Sequence, residues 1–287
     1  MQTTPRALVL LAGFPDDASL WDGLVSALQS DYHPVVALPA PDLDKPALSH
    51  PWGHRLDACV RLVQADIERQ LGVDVPYDLV AHDWGALFAL NLAGNDKHRW
   101  RIRKLVLIDV GGSSKEHGIV SMSELLQFRG ISIMWVYQVY FLYVFLIGKF
   151  LSERLANSML RLWTRNAGFM GPCDKSFCWN TCASRPVIDM QWWMCYPYWQ
   201  LWWNCLLSFR HPPKMPFPAM PTLFIFGARK RCYFHSTPFI DEMHRRVNSG
   251  YEVLEYECGH WPMIEMPSRV NRDIGAFLVD EGLQKSS

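Results

Sequence analysis

Strand-length apolar runs alternate with helix-spaced stretches along the first part of this chain, and that rhythm implies a mostly parallel sheet covered by helices on both faces. ALVLLAG (7–13) reads as a buried strand followed by a turn at Phe14, Pro15, Asp16 and Asp17, and SLWDGLVSALQ (19–29) carries Leu20, Leu24 and Leu28 at helical spacing. HPVVALPAPD (33–42), YDLVAH (77–82) and KLVLIDVGG (104–112) are three further strands. Between them DACVRLVQADIERQLG (57–72) places Val60, Val63, Ile67 and Leu71 on one helical face, and ALFALNLAG (86–94) follows the third strand directly. The rhythm stops near Ser113. It resumes with PTLFIFGA (221–228), a helix near Pro238 to Val247, the strand YEVLEYE (251–257) and a closing helix from Ser268 to Asp280. The predicted organisation is one α/β core, 1–112 and 215–287, carrying a helical insert, 113–214, after the fourth predicted strand.

Composition removes several function classes. Lys plus Arg and Asp plus Glu are both 28, so the chain lacks the positive excess that neutralises phosphates, and no nucleic-acid partner is expected. Apolar residues make up 49% and charged residues 20%, which excludes intrinsic disorder. The 8 Cys form no small disulfide scaffold at this length, and no secretory leader pattern opens the sequence. Free thiols in a reducing compartment, with a cytoplasmic location, are the expectation. Cys173, Cys178 and Cys182 lie close together, but their spacing fits no standard zinc pattern; neither metal nor cofactor is expected.

Ala81-His82-Asp83-Trp84-Gly85 lies where a buried strand meets a helix. Small residues at 81 and 85 permit a sharp turn that exposes the middle side chain at the carboxyl end of the strand, the geometry of a nucleophile elbow with Asp in the central position. The helix that starts there favours an anion. A simpler use of Asp83 is to cap that helix.

Three segments together resemble the α/β-hydrolase superfamily, and within it the epoxide hydrolase and haloalkane dehalogenase group. AGFPDDASLW (12–21) resembles the group's His-Gly-Phe-Pro-Asp segment, VAHDWGALFAL (80–90) its nucleophile elbow, and CGHWPMIEMPSRV (258–270) its late catalytic-histidine loop. They occur in the right order with a cap-sized insert between them. The resemblance implies an α/β-hydrolase fold, Asp83 as nucleophile, His260 as base, and the backbone N–H groups of Phe14 and Trp84 as the oxyanion donors.

The pattern also fails in places. The group's histidine before Gly13 is Ala12, and its late catalytic acid falls on Lys230, in the run Arg229-Lys230-Arg231. A cation does not orient and stabilise an imidazolium as a carboxylate does. Little sequence precedes the first strand, so a smaller sheet or an unprotected edge is expected. Asp109, at the end of KLVLID, is available as a replacement acid because some dehalogenases of the group carry theirs there; its other use is to cap the loop before Gly111 and Gly112.

The insert holds two stretches without formal charge, 131–148 and 190–209, and most of the 13 Trp lie between Trp135 and Trp203. They read as buried cap helices, as a cap resting on a membrane surface, or, for 131–148, as a span. A cap roofing the site with apolar and aromatic walls, Trp193 among them, implies a lipophilic small-molecule substrate. In epoxide hydrolases cap tyrosines protonate the leaving alkoxide, which by resemblance assigns that task to Tyr196 or Tyr198, although both can equally pack. The function expected from resemblance is epoxide opening through an Asp83 ester that His260-activated water hydrolyses. The alternatives are halide displacement, with the Trp84 indole as halide donor, or a catalytically degenerate member that binds lipid or a membrane partner through its cap.

Overall fold

In the computed structural model, residues 6–115, 118, 122–166, 189–204 and 214–279 are described. Six strands form a parallel sheet in the order β2-β1-β3-β4-β5-β6: β1 (Arg6–Leu11), β2 (Tyr32–Leu38), β3 (Tyr77–His82), β4 (Ile102–Ile108), β5 (Thr222–Gly227) and β6 (Tyr251–Tyr256). The central strands are mostly apolar because helices cover both their faces; β3 and β5 are buried at every position. The β2 edge carries Pro34, which cannot donate to a ladder and is at home there.

Helices α1 (Asp22–Leu28), α2 (Leu56–Leu71) and α3 (Trp84–Ala93) follow the first three strands, and α3 packs against α2. Cys59, Val63 and Ile67 form the buried stripe of α2, whereas Val60 and Leu71 sit half-buried at its margin. After β5 come α8 (Thr237–Arg245), the single turn α9 (Pro262–Glu265) and α10 (Pro267–Val279), which packs against α1.

Between β4 and β5 the chain forms the short α4 (Met122–Leu125), then α5 (Ile131–Phe150), α6 (Glu153–Asn166) and α7 (Tyr196–Trp202). By length and composition α5 is apolar enough to cross a membrane. Here one side of it, Met134, Tyr137, Phe141, Val144, Phe145 and Gly148, is buried, and the helix packs on α6, α7 and the turn Trp192–Cys195. Trp135, Val136, Tyr143 and Phe150 lie exposed on its outer side. Cys59, Cys195, Cys232 and Cys258 are free and buried; the Cys173, Cys178 and Cys182 cluster lies outside the described residues.

Candidate active site

The sharp corner between β3 and α3 is built as its small residues require. Asp83 sits at φ 52 and ψ −124, a conformation that costs on the order of 1–3 kcal/mol and persists only where its surroundings enforce it. A Cβ on Gly85 would come within 2.5 Å of the Leu11 carbonyl oxygen, so only glycine lets α3 leave the sheet this closely. Asp83 does not cap the helix it precedes. Its Oδ2 instead accepts the Phe14 N–H at 2.8 Å, and the Trp84 N–H also holds the carboxylate. The donors assigned to an oxyanion thus already hold the carboxylate, and the side chain keeps 13% exposure.

Gly13 makes that grip possible. A Cβ there would lie 2.5 Å from the Trp84 nitrogen and 2.6 Å from Asp83 Oδ2. Gly13→Ala is therefore expected to displace the donors and lower kcat by about 100-fold or more, the usual cost of a lost oxyanion donor. Steady-state rates, with circular dichroism to verify folding, check this; an unchanged kcat would separate the turn from the chemistry.

His260 lies in the loop after β6 with its Nε2 3.5 Å from Asp83 Oδ1. Its Nδ1 meets Asp109 Oδ2, and Asp109 Oδ1 meets the buried ammonium of Lys230. Asp109 takes φ 70, a left-handed conformation that aspartate tolerates better than most residues, and its Oδ1 also accepts the Gly227 N–H at 3.3 Å. The order Lys230–Asp109–His260–Asp83 is continuous, and Lys230, Asp109 and His260 are buried. Asp109 thus occupies the acid's place beside the imidazole, while Lys230 occupies the place where the resemblance called for an acid. Glu257, three residues before His260, is exposed and pairs with Arg229, away from the imidazole's acid partner.

The sequence matches the alpha/beta hydrolase family over residues 8–273. The chain belongs to that family. Among solved structures, a mutant epoxide hydrolase from Bacillus megaterium aligns with TM-score 0.65 and 21% identity, covering 96% of this chain and 94% of the other. The Cif epoxide hydrolase from Acinetobacter nosocomialis aligns with TM-score 0.61 and 15% identity over 96% and 83%. A bacterial membrane phospholipase A aligns with TM-score 0.59 and 21% identity over 98% and 80%. At these identities the likeness is one of fold. Comparison with curated proteins gave no match.

Electrostatics in this alpha/beta hydrolase follow from burial and neighbours. Burial opposes charge on His260, but the Asp109 carboxylate and then Asp83 overcome it and push the imidazole up to about 9. Burial likewise works against the Asp83 and Asp109 carboxylates; His260 holds Asp83 below its ordinary value, and Lys230 followed by His260 holds Asp109 well below its own. The resting site is accordingly a carboxylate facing an imidazolium. Nε2 of His260 is buried and faces the Asp83 carboxylate across 3.5 Å.

His82 supports the backbone of His260. Its Nε2–H donates to the His260 carbonyl oxygen at 2.9 Å, and the two rings lie 4.6 Å apart. Burial and then the neighbouring His260 charge lower His82 to about 4, so it stays neutral.

The cap closes the site with rings. Tyr198 packs edge-on against Trp84 at 5.6 Å and Phe14 at 5.3 Å, and Tyr137 packs edge-on against Tyr198 at 6.0 Å and Phe234 at 6.1 Å. Phe234 in turn touches the His260 ring. Burial raises both phenols well above their ordinary value, with the Asp83 charge adding to it. The Trp84 side chain beside Tyr198 and the Gln138 side chain beside Tyr137 partly offset the rise in the two phenols.

One cap expectation is corrected. Tyr196 turns away from Asp83: its hydroxyl donates to the Pro41 carbonyl at 2.7 Å and touches Cys59 Sγ. Residues two apart on a helix point to nearly opposite sides, so only Tyr198 of the pair looks inward. Trp193 is buried in the turn that packs on α5, and among the described residues no hydrogen bond or ring contact ties it to Asp83. The inward tyrosine missed in the sequence is Tyr137.

Proposed function

We propose that this alpha/beta hydrolase opens lipophilic epoxides through an alkyl ester on Asp83. The observation that carries the reading is the Asp83 carboxylate held between the Phe14 and Trp84 N–H groups with His260 Nε2 3.5 Å from its other oxygen. Asp83 attacks an epoxide carbon and forms the ester bond as the ring C–O bond breaks. The alkoxide receives hydrogen bonds from Tyr137 and Tyr198 and takes up the proton released by the imidazolium, which leaves His260 neutral. His260 then removes a proton from water, and the hydroxide adds to the ester carbonyl. Phe14 and Trp84 N–H groups hold the tetrahedral oxyanion, worth about 3 kcal/mol per donor. Collapse breaks the acyl C–O bond, the departing diol takes the proton back from His260, and the protonated Asp83 returns its proton to the imidazole. Epoxide plus water gives diol, with every proton accounted for.

The substrate class follows from the aromatic shell of Phe14, Tyr137, Phe141, Tyr198 and Phe234, which favours an aryl or long alkyl epoxide. Halide displacement draws less support, because the Trp84 indole packs edge-on against the Tyr198 ring. The test is a single turnover of an aryl epoxide in heavy-oxygen water. Label is expected in the Asp83 carboxylate, with Tyr198→Phe slowing ester formation by about 10-fold or more. Label found only in the diol after one turnover would overturn the covalent ester.

A further inference from the structure

Lys230 enters the sequence as an obstacle to catalysis and sits in the structure at the head of the catalytic chain. We propose that Lys230 is a positioning residue that balances the charge of Asp109, so that His260 gives up its proton when Asp83 becomes an ester. The proposal rests on the Asp83 ester reading above.

Lys230 and Asp109 are both fully buried, with the ammonium on Oδ1 and His260 on Oδ2. The ammonium also lies 4.8 Å from the centre of the Phe234 ring, the same ring that walls the imidazole. A buried charge needs a partner, so the site favours the protonation state that leaves its charges balanced. At rest, the negative Asp83 and Asp109 are matched by the positive Lys230 and His260. Esterification removes the Asp83 charge. Asp109 and Lys230 then cancel one another, and the balanced state is a neutral imidazole, the form that accepts a proton from water. Without Lys230, Asp109 faces His260 alone after esterification, and the balanced state is an imidazolium, which gives up its proton only at higher pH.

The other titratable groups near the pair leave this balance unchanged. His82 beside His260, and His235, which feels both Lys230 and Asp109, are held neutral, at about 4 and about 3. Burial pushes the Cys232 thiol up to about 11 and raises Cys258 and Tyr137 as well, so these too are uncharged at neutral pH. Asp16 lies beyond His82, 3.9 Å from its Nδ1, and accepts the Trp261 indole N–H at 2.8 Å; it contributes equally before and after esterification.

Asp83→Asn supplies a stable, uncharged stand-in for the ester. The His260 ring resonances are followed against pH by NMR in the full chain. Asp83→Asn is expected to bring the titration at least about one unit below that of the unchanged protein, and adding Lys230→Met to raise it by about one unit or more. Lys230→Arg, which retains the cation, is expected to leave the Asp83→Asn value in place. In chains with Asp83 intact, Lys230→Met moves the acidic limb of the kcat–pH profile upward, and Lys230→Arg restores it. Identical His260 titrations in Asp83→Asn with and without Lys230→Met would overturn the proposal. If Lys230→Met does not fold, the side-chain nitrogen resonance of Lys230 in the unchanged protein decides: an ammonium is expected at neutral pH, and an uncharged amine overturns the proposal. These titrations use no substrate, so they stand or fall apart from the ester, which the label experiment judges.

Discussion

Asp83→Asn is expected to leave a folded protein whose kcat with an aryl epoxide has dropped by about 10⁴-fold or more, the scale seen when a nucleophile is removed from a cooperating set. Asparagine has the shape of aspartate and accepts positive φ nearly as well, so the strained corner at φ 52 survives. The amide is a poor nucleophile, and it no longer draws the imidazolium toward the reacting carbon. Thermal unfolding and rate measurements on the same preparation separate the two effects. A variant that folds and turns over at the parental rate would remove Asp83 from the chemistry.

His260→Gln is expected to divide the reaction in two. Asp83 still attacks, because the Phe14 and Trp84 N–H groups that grip it are backbone and do not depend on the imidazole. The two phenols still hold the nascent alkoxide, so ester formation slows less than hydrolysis does. Hydrolysis loses its base, and steady-state kcat falls by about 10³-fold or more. The ester accumulates, and intact-protein mass spectrometry should find the chain heavier by one epoxide, with the adduct on the peptide containing Asp83. A variant with full turnover and no adduct would leave His260 without its assigned task.

Most of the scaffold was readable because strand-length apolar runs bounded by turn residues leave few alternatives. YDLVAH and YEVLEYE match β3 and β6 to within a residue. β4 begins earlier than KLVLID suggested, since Arg103 looks like loop sequence until its guanidinium is seen reaching buried Asp78 at 3.2 Å from the neighbouring strand. The elbow, the late histidine and Asp109 were legible for a related reason: strand ends in this kind of sheet converge on one edge. Side-chain partners across that edge are not written in any local period. Lys230 was visible as a missing acid and not as a companion to Asp109, because the two residues come from different strand ends. Tyr137 was hidden by the apolar character of α5, where no polar face marks which side turns inward.

The shared carboxylate at Asp109 also makes positions 109 and 230 non-additive. Lys230→Asp alone, which would restore the family's usual acid, sets three carboxylates around a single imidazole; Asp109→Asn alone strands a buried ammonium. Together they return to one acid and one base. The double variant should therefore perform better than either single change, a case of sign epistasis in which neither one-step route between the two arrangements avoids a disfavoured intermediate.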